Sequence, residues 1–284
     1  MEIIDTVCGV SLADPSAILS YWDSPLIKSL YFTPKSISKK RIEETIDNQS
    51  FTNKIQLLSN LYARYSLPEL CSDMIAEFER DCGVEVGEYT LYLILGCGTA
   101  TIYSIELDSK PVTVLCLESL DGNLDILRMY LAHEYTDLVR KQLLKTDIFE
   151  SCVGERLVTE GIAENYSREC VPGKQDGAYC IVDDTTVRWV QQHREALSTF
   201  DLYSPSQIED LFYMFADIDY PERTGYVYRY YAVKKHLDNN RLYVKDILSA
   251  DWKTILGVNQ QWNCLKYITS QSSYRTIRCH GTSM

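Results

Sequence analysis

Hydrophobic and polar positions divide the chain into three stretches. Between residues 51 and 67 apolar side chains recur at Ile55, Leu57, Leu58, Leu61 and Tyr62, the spacing of one helical face. Residues 70–78 predict another helix ahead of Cys82-Gly83, and the charge-rich segment 36–44 belongs to the same polar, helical region, 1–85. The period then changes. Residues 90–95, 101–107 and 112–117 are β-branched and aromatic runs divided by Gly96, Gly98, Ser109 and Pro111, which predicts a short sheet. Its connections are too short for helical crossovers, so antiparallel pairing is expected.

Helical spacing returns beyond the sheet. Asp121 or Asn123 can cap a long helix running to about residue 144, with Leu124, Leu127, Leu131, Tyr135 and Leu138 as its buried stripe. Further helices are expected at 154–166, 189–197, 205–216, 224–237, 243–248 and 251–256, with a loop over 171–177. The Ser/Thr/Arg-rich end from Gln271 shows no periodicity. The pattern defines an α+β chain, mostly helical, with a small antiparallel or mixed sheet just before the long helix. Its parts are a helical region 1–85, a main domain 86–264 and a tail 265–284; no linker separates them, so they also read as one continuous unit.

Composition narrows the function classes. With 284 residues the chain can bury an ample core, and 45% apolar with 24% charged residues is ordinary globular usage. A net charge of −12 argues against nucleic acid and anionic membranes as partners, because both attract cationic surfaces. No apolar run is long enough to cross a bilayer as a helix. The start, Met1-Glu2-Ile3-Ile4-Asp5, carries no basic segment followed by an apolar one, so a cytoplasmic protein is expected. Ten cysteines in such a compartment are expected as reduced thiols, and Cys97, Cys116 and Cys180, among apolar neighbours, as buried inert ones. The 21 tyrosines form no repeat and suit core and groove positions.

Chemistry concentrates on the long helix. Leu131-Ala-His133-Glu134-Tyr-Thr-Asp137-Leu places His133 and Asp137 on one helical face, a turn apart. A zinc peptidase helix reads His-Glu-x-x-His, where two imidazoles grip the metal and the Glu between them works on the attacking water. Asp137 takes the fifth position here, and a solvated helix face would show the same short pattern. A metal held by one helix needs a third ligand from another. Thr159-Glu160-Gly161-Ile162-Ala163-Glu164 on the following helix offers Glu160, with Gly161 and Ala163 small enough to let that helix pack close. His193, His236 and His280 are single and read as surface or core histidines. No nucleophile elbow, phosphate loop or dinucleotide fingerprint is present.

These segments, with the later Pro221-Glu-Arg223-Thr-Gly225-Tyr226-Val-Tyr-Arg229-Tyr230, occur in an order that resembles the bacterial predicted zinc-dependent proteases of domain-of-unknown-function family 2268. The resemblance runs over about residues 89–256 and implies a gluzincin-like, zincin-type fold and metal-dependent peptide hydrolysis. It implies His133, Asp137 and Glu160 as ligands of one divalent metal, zinc first, and Glu134 as general base. Tyr226 or Tyr230 would hydrogen-bond the oxyanion, and Arg223 would bind a substrate carboxylate. A peptide or protein substrate is implied, lying along an edge strand of the sheet. Two departures stand out: Asp137 for the second histidine, and Arg229 for the second glycine of a Gly-Tyr-x-x-Gly-Tyr-like stretch. An oxygen ligand at 137 lowers the charge at the metal and turns preference toward harder ions such as manganese. Two readings therefore stand: an altered metallopeptidase, or a non-catalytic copy that binds a peptide or protein in the same groove. In the second, Arg140 or Arg156 is expected as the ion partner of Asp137.

Overall fold

The computed structural model describes residues 1–30, 39–96, 101–108, 110–145, 152–174, 179, 182–198, 200–205, 207–208, 211, 220–221 and 223–258. The expected tail, most of the expected helix 205–216, Cys97, Cys180 and His280 lie outside these residues. The described chain is mostly helical with one four-stranded mixed sheet, an α+β architecture.

The sheet consists of β1 (Glu2–Asp5), β2 (Thr90–Ile94), β3 (Ile102–Leu107) and β4 (Lys110–Cys116), in the order β1-β2-β4-β3. Only β3 and β4 form the expected antiparallel hairpin; β1 with β2 and β2 with β4 are parallel. The short-connection rule holds for chain neighbours that pair, but β4 inserts between β2 and β3, so β2 meets the next strand but one. β1 also corrects the all-helical expectation for the first region. Four residues are too few to show a period, and their pairing is fixed by a strand some ninety positions on, Ile3 opposite Leu91. Leu91, Leu93, Ile94, Val114 and Leu115 are fully buried, so the middle of the sheet is covered on both faces.

Helices α1 (Pro15–Trp22), α2 (Pro25–Leu30), α3 (Lys39–Ile46), α4 (Gln49–Tyr62) and α5 (Leu67–Cys82) precede β2. Trp22 and Tyr21 fasten α1 to the end of β2: the buried indole donates to the Leu95 carbonyl at 2.7 Å, and the Tyr21 hydroxyl accepts from the Leu95 amide at 3.1 Å. After the sheet come α6 (Leu124–Leu144), α7 (Val153–Cys170), α8 (Asp184–Leu197), α9 (Thr224–Asn240) and α10 (Trp252–Leu256). Asn123 caps α6, its side chain accepting from the Asp125 amide at 2.9 Å.

The helix α7 lies at the centre. Met129 of α6 accepts from Ser167 of α7, and Arg140 of α6 donates to Thr159, so the two helices run in opposite directions side by side. Phe78 of α5, Tyr135 of α6 and Tyr166 of α7 join their rings, with centroids 5.7 to 6.2 Å apart. The other sides of α7 are closed by glycine contacts. A Cβ on Gly161 would meet the Arg229 carbonyl of α9 at 2.4 Å, and one on Gly154 would meet the Trp252 ring of α10 at 2.4 Å. This buries α7 on nearly every side although it carries Glu160, Glu164, Asn165 and Ser167. A polar helix so enclosed has to satisfy its charges internally.

Candidate metal centre

Position 133 on α6 faces position 160 on α7 because the helices are antiparallel in register. His133 Nε2 lies 3.2 Å from Glu160 Oε2 and 3.7 Å from Asp137 Oδ2. One donor atom from each of the three lies within 4.8 Å of the others, the one such His/Cys/Asp/Glu cluster among the described residues. Ligands bonded at about 2 Å to one tetrahedral ion sit roughly 3.3 Å apart, close to these spacings. Asp137 Oδ1 is buried and accepts no hydrogen bond among the described residues, an orphan that a cation would satisfy. The donor set of one imidazole and two carboxylates therefore fits a divalent ion.

Charge in this cluster is tightly balanced. Burial disfavours a charged His133, yet the Asp137 carboxylate and the hydrogen bond to Glu160 win and lift it to about 9. Burial, followed by the nearby Glu160 charge, pushes Asp137 up to about 8. Glu160 goes the other way: burial opposes its charge, but Arg156 and Arg229 hold it well below the usual carboxylate range. Its outer oxygen Oε1 meets Arg156 Nη2 at 2.8 Å, and Oε2 accepts from Arg229 Nη1. Arg229, 4% exposed, also reaches Glu164 at 3.3 Å, and Arg168 holds that carboxylate's other oxygen at 3.1 Å.

Glu134 turns toward the sheet. Its Oε2 accepts from Ser104 Oγ on β3 at 3.2 Å and from Thr113 Oγ1 on β4 at 3.4 Å. Burial raises its pKa, assisted by the Glu160 charge and opposed by His133 and the two hydroxyls. Tyr226 packs its ring 4.6 Å from the Arg229 guanidinium, one contact away from Glu160. Tyr230 lies under Arg168 at 3.6 Å, beside Glu164 rather than Glu160. Arg223 is exposed in a left-handed conformation (φ 62°) at the start of α9, its guanidinium 5.8 Å from the Tyr226 ring.

The structure thus brings His133, Asp137 and Glu160 together, with Glu134 and Tyr226 next to them and Tyr230 and Arg223 further out. Gly161, read as easing contact with the preceding helix, instead admits α9. Arg140 and Arg156 pair with Glu155 and Glu160 rather than with Asp137. Glu164, Arg168 and the two sheet hydroxyls do not stand out from the sequence motifs. The series Arg156, Glu160, Glu164, Arg168, each four residues on, was the available signal for a charged ladder on one helix face. His193 stacks on Trp189, ring centroids 4.1 Å apart, and takes no part in the centre.

A helical α+β chain in which an imidazole and two carboxylates converge between antiparallel helices presents a donor set that could hold a metal ion. The chain is more closely placed by a family model described as a predicted zinc-dependent protease, a domain of unknown function, which matches residues 108–257. The chain belongs to that family, and the matched span contains β4 to α10 with all seven residues picked out above. No curated protein and no solved structure matches it.

Proposed function

We propose that the protein is a metal-dependent peptidase of gluzincin type. The observation that carries this reading is the convergence of His133, Asp137 and Glu160 beside the buried carboxylate of Glu134. These three residues would hold one divalent ion, zinc first, with manganese favoured by the oxygen donor at 137. When bound, such an ion polarises a carbonyl and acidifies water. Glu134 takes a proton from the attacking water and returns it to the leaving amine; the upward direction of its pKa strengthens it as a base. Ser104 and Thr113 fix the carboxylate by donating to it from the sheet.

The substrate is a peptide or protein segment laid along β3, the edge strand that carries Ser104, by addition of an extended strand. Of the two tyrosines, Tyr226 is the better placed to donate to the developing oxyanion, because its ring rests on the guanidinium that contacts Glu160. Arg223, exposed at the start of α9, would meet a substrate carboxylate. The free, buried thiols of Cys71 and Cys116 suit a reducing compartment, the cytoplasm.

A second reading, peptide binding without catalysis, draws on Arg229, a cation already seated on Glu160. The test is Glu134→Gln, which keeps size and hydrogen bonding but removes the base. Cleavage of a diverse peptide mixture, read by mass spectrometry, is expected to fall by about two orders of magnitude while bound metal stays unchanged. Equal cleavage by both proteins, or none by either at full metal occupancy, favours the binding reading.

A further inference from the structure

The two positions at which this chain leaves its family's pattern meet at one carboxylate. Asp137 lies across from Glu160 on the ligand side, and Arg229 donates to Glu160 itself. A His/His/Glu set carries one negative charge, and His/Asp/Glu carries two. The guanidinium of Arg229 restores the balance to one, so the departures offset each other in charge. The oxygen that each arginine takes separates their roles. Arg156 holds Oε1, which leaves Oε2 turned toward His133, as an outer partner that orients a ligand would do. Arg229 holds Oε2, the oxygen 3.2 Å from His133 Nε2 and hence the donor atom facing the centre.

We infer that Arg229 is a resident cation of the centre, competing with a metal ion for Glu160 Oε2, so that the site keeps its shape without metal and binds it only as Arg229 gives way. This rests on the metal-centre reading above. It makes metal content a variable property of the protein instead of a condition of its folding. Glu164 supplies the alternative seat: Arg229 Nη2 is already 3.3 Å from Glu164 Oε2, so the guanidinium can leave Glu160 without losing every anionic partner.

The test is zinc titration of the full chain against a chromophoric chelator, for the wild type, Arg229→Met and Arg156→Met. Removing a like charge beside a ligand atom in a buried site is expected to tighten zinc binding by about tenfold or more in Arg229→Met. Loss of an orienting partner is expected to weaken it by about tenfold or more in Arg156→Met. The opposite signs identify the roles, since a merely structural arginine would weaken binding in both. Unchanged or weaker zinc binding in Arg229→Met, with the wild type binding normally, overturns the role of Arg229 and leaves the metal centre standing. Zinc bound by neither protein, nor by the double variant Asp137→His/Arg229→Met, refutes the metal centre and this inference with it. The wild type supplies a measurement that does not depend on a variant folding. Its near-ultraviolet circular dichroism and amide exchange over α6 and α7 in excess chelator are expected to match those in equimolar zinc, and loss of the dichroism or of protection on chelation overturns a site held by its own cations.

Discussion

Gly161 sets how closely α9 can approach α7, and through it where Arg229 meets Glu160. A Cβ built there lies 2.4 Å from the Arg229 carbonyl oxygen, 2.6 Å from Val233 Cγ2 and 3.1 Å from the Arg229 carbonyl carbon. Ordinary contact begins near 3.4 Å, so Gly161→Ala requires α9 to retreat by roughly 1 Å. The nearest atom is backbone and cannot swing aside as a side chain can. Overpacking against backbone that cannot move aside falls in the upper part of the usual range, about 2–3 kcal/mol, and alanine's better helix propensity returns about 1 kcal/mol. The expected net loss is about 1–2 kcal/mol, which for a chain of this size lowers the melting temperature by about 2–8 °C. Circular dichroism melts of the two proteins in the same chelator-containing buffer measure it. Val233→Ala added to Gly161→Ala is expected to recover little, because the carbonyl clash remains. A Gly161→Ala protein as stable as the wild type, or more so, would refute the close approach of α9 and the position it gives Arg229.

Three further outcomes concern the centre. His133 and Asp137 must lose protons to ligate, and their pKa values are raised to about 9 and about 8, so zinc affinity should climb between pH 6 and 9 with proton release, counted by titration in buffers of different ionisation enthalpy. The metal-free protein should move oppositely. Both raised groups bind protons more tightly folded than unfolded: the His133 contribution is whole below 6.5 and lost through about 9, and that of Asp137 is whole below 3.8 and lost through about 8. Urea midpoints in chelator should therefore fall as pH rises from 6 to 9, and a rise would contradict the charge arrangement. Asp137→His supplies a longer, softer ligand and restores an imidazole, so zinc affinity at fixed pH is expected to increase by about tenfold or more, and calorimetry showing no gain would count against position 137 as a ligand.

What the sequence discloses is what depends on near neighbours. Asn123 as a cap, the helix to Leu144, and the shared face of His133 and Asp137 all follow from spacings of a turn or less. Glu160 was legible because the next helix can only fold back beside the last. β1 was not, since Glu2–Asp5 becomes a strand through a partner near residue 90. Parallel pairing of β2 with β4 was hidden for the same reason: the order of strands in a sheet is not their order in the chain. Arg229 stood out in the sequence as a departure, but its meaning required knowing that Gly161 brings α9 onto α7. Its carboxylate partners are 69 and 65 residues away. A buried ion pair across such a distance leaves no periodic trace.

The position of Glu134 shows how the sheet and the centre act together. One residue from His133 on a helix, it points about a quarter turn away, and that turn aims it at the sheet. There Ser104 and Thr113 are opposite each other in register, their hydroxyls 2.8 Å apart, and both donate to the same carboxylate oxygen. Two donors alone would lower its pKa. Burial and the Glu160 charge oppose them, and the net direction is upward. The hydroxyls therefore act chiefly on orientation, while proton affinity is set by exclusion of water. Fixing the carboxylate from the edge hairpin also ties the proposed base to the strand along which a peptide would pair. Base and substrate would then share one rigid support, and the metal ligands another, on α6 and α7. The alignment of the two depends on how α6 seats against the sheet, to which Glu134 is fastened by Ser104 and Thr113.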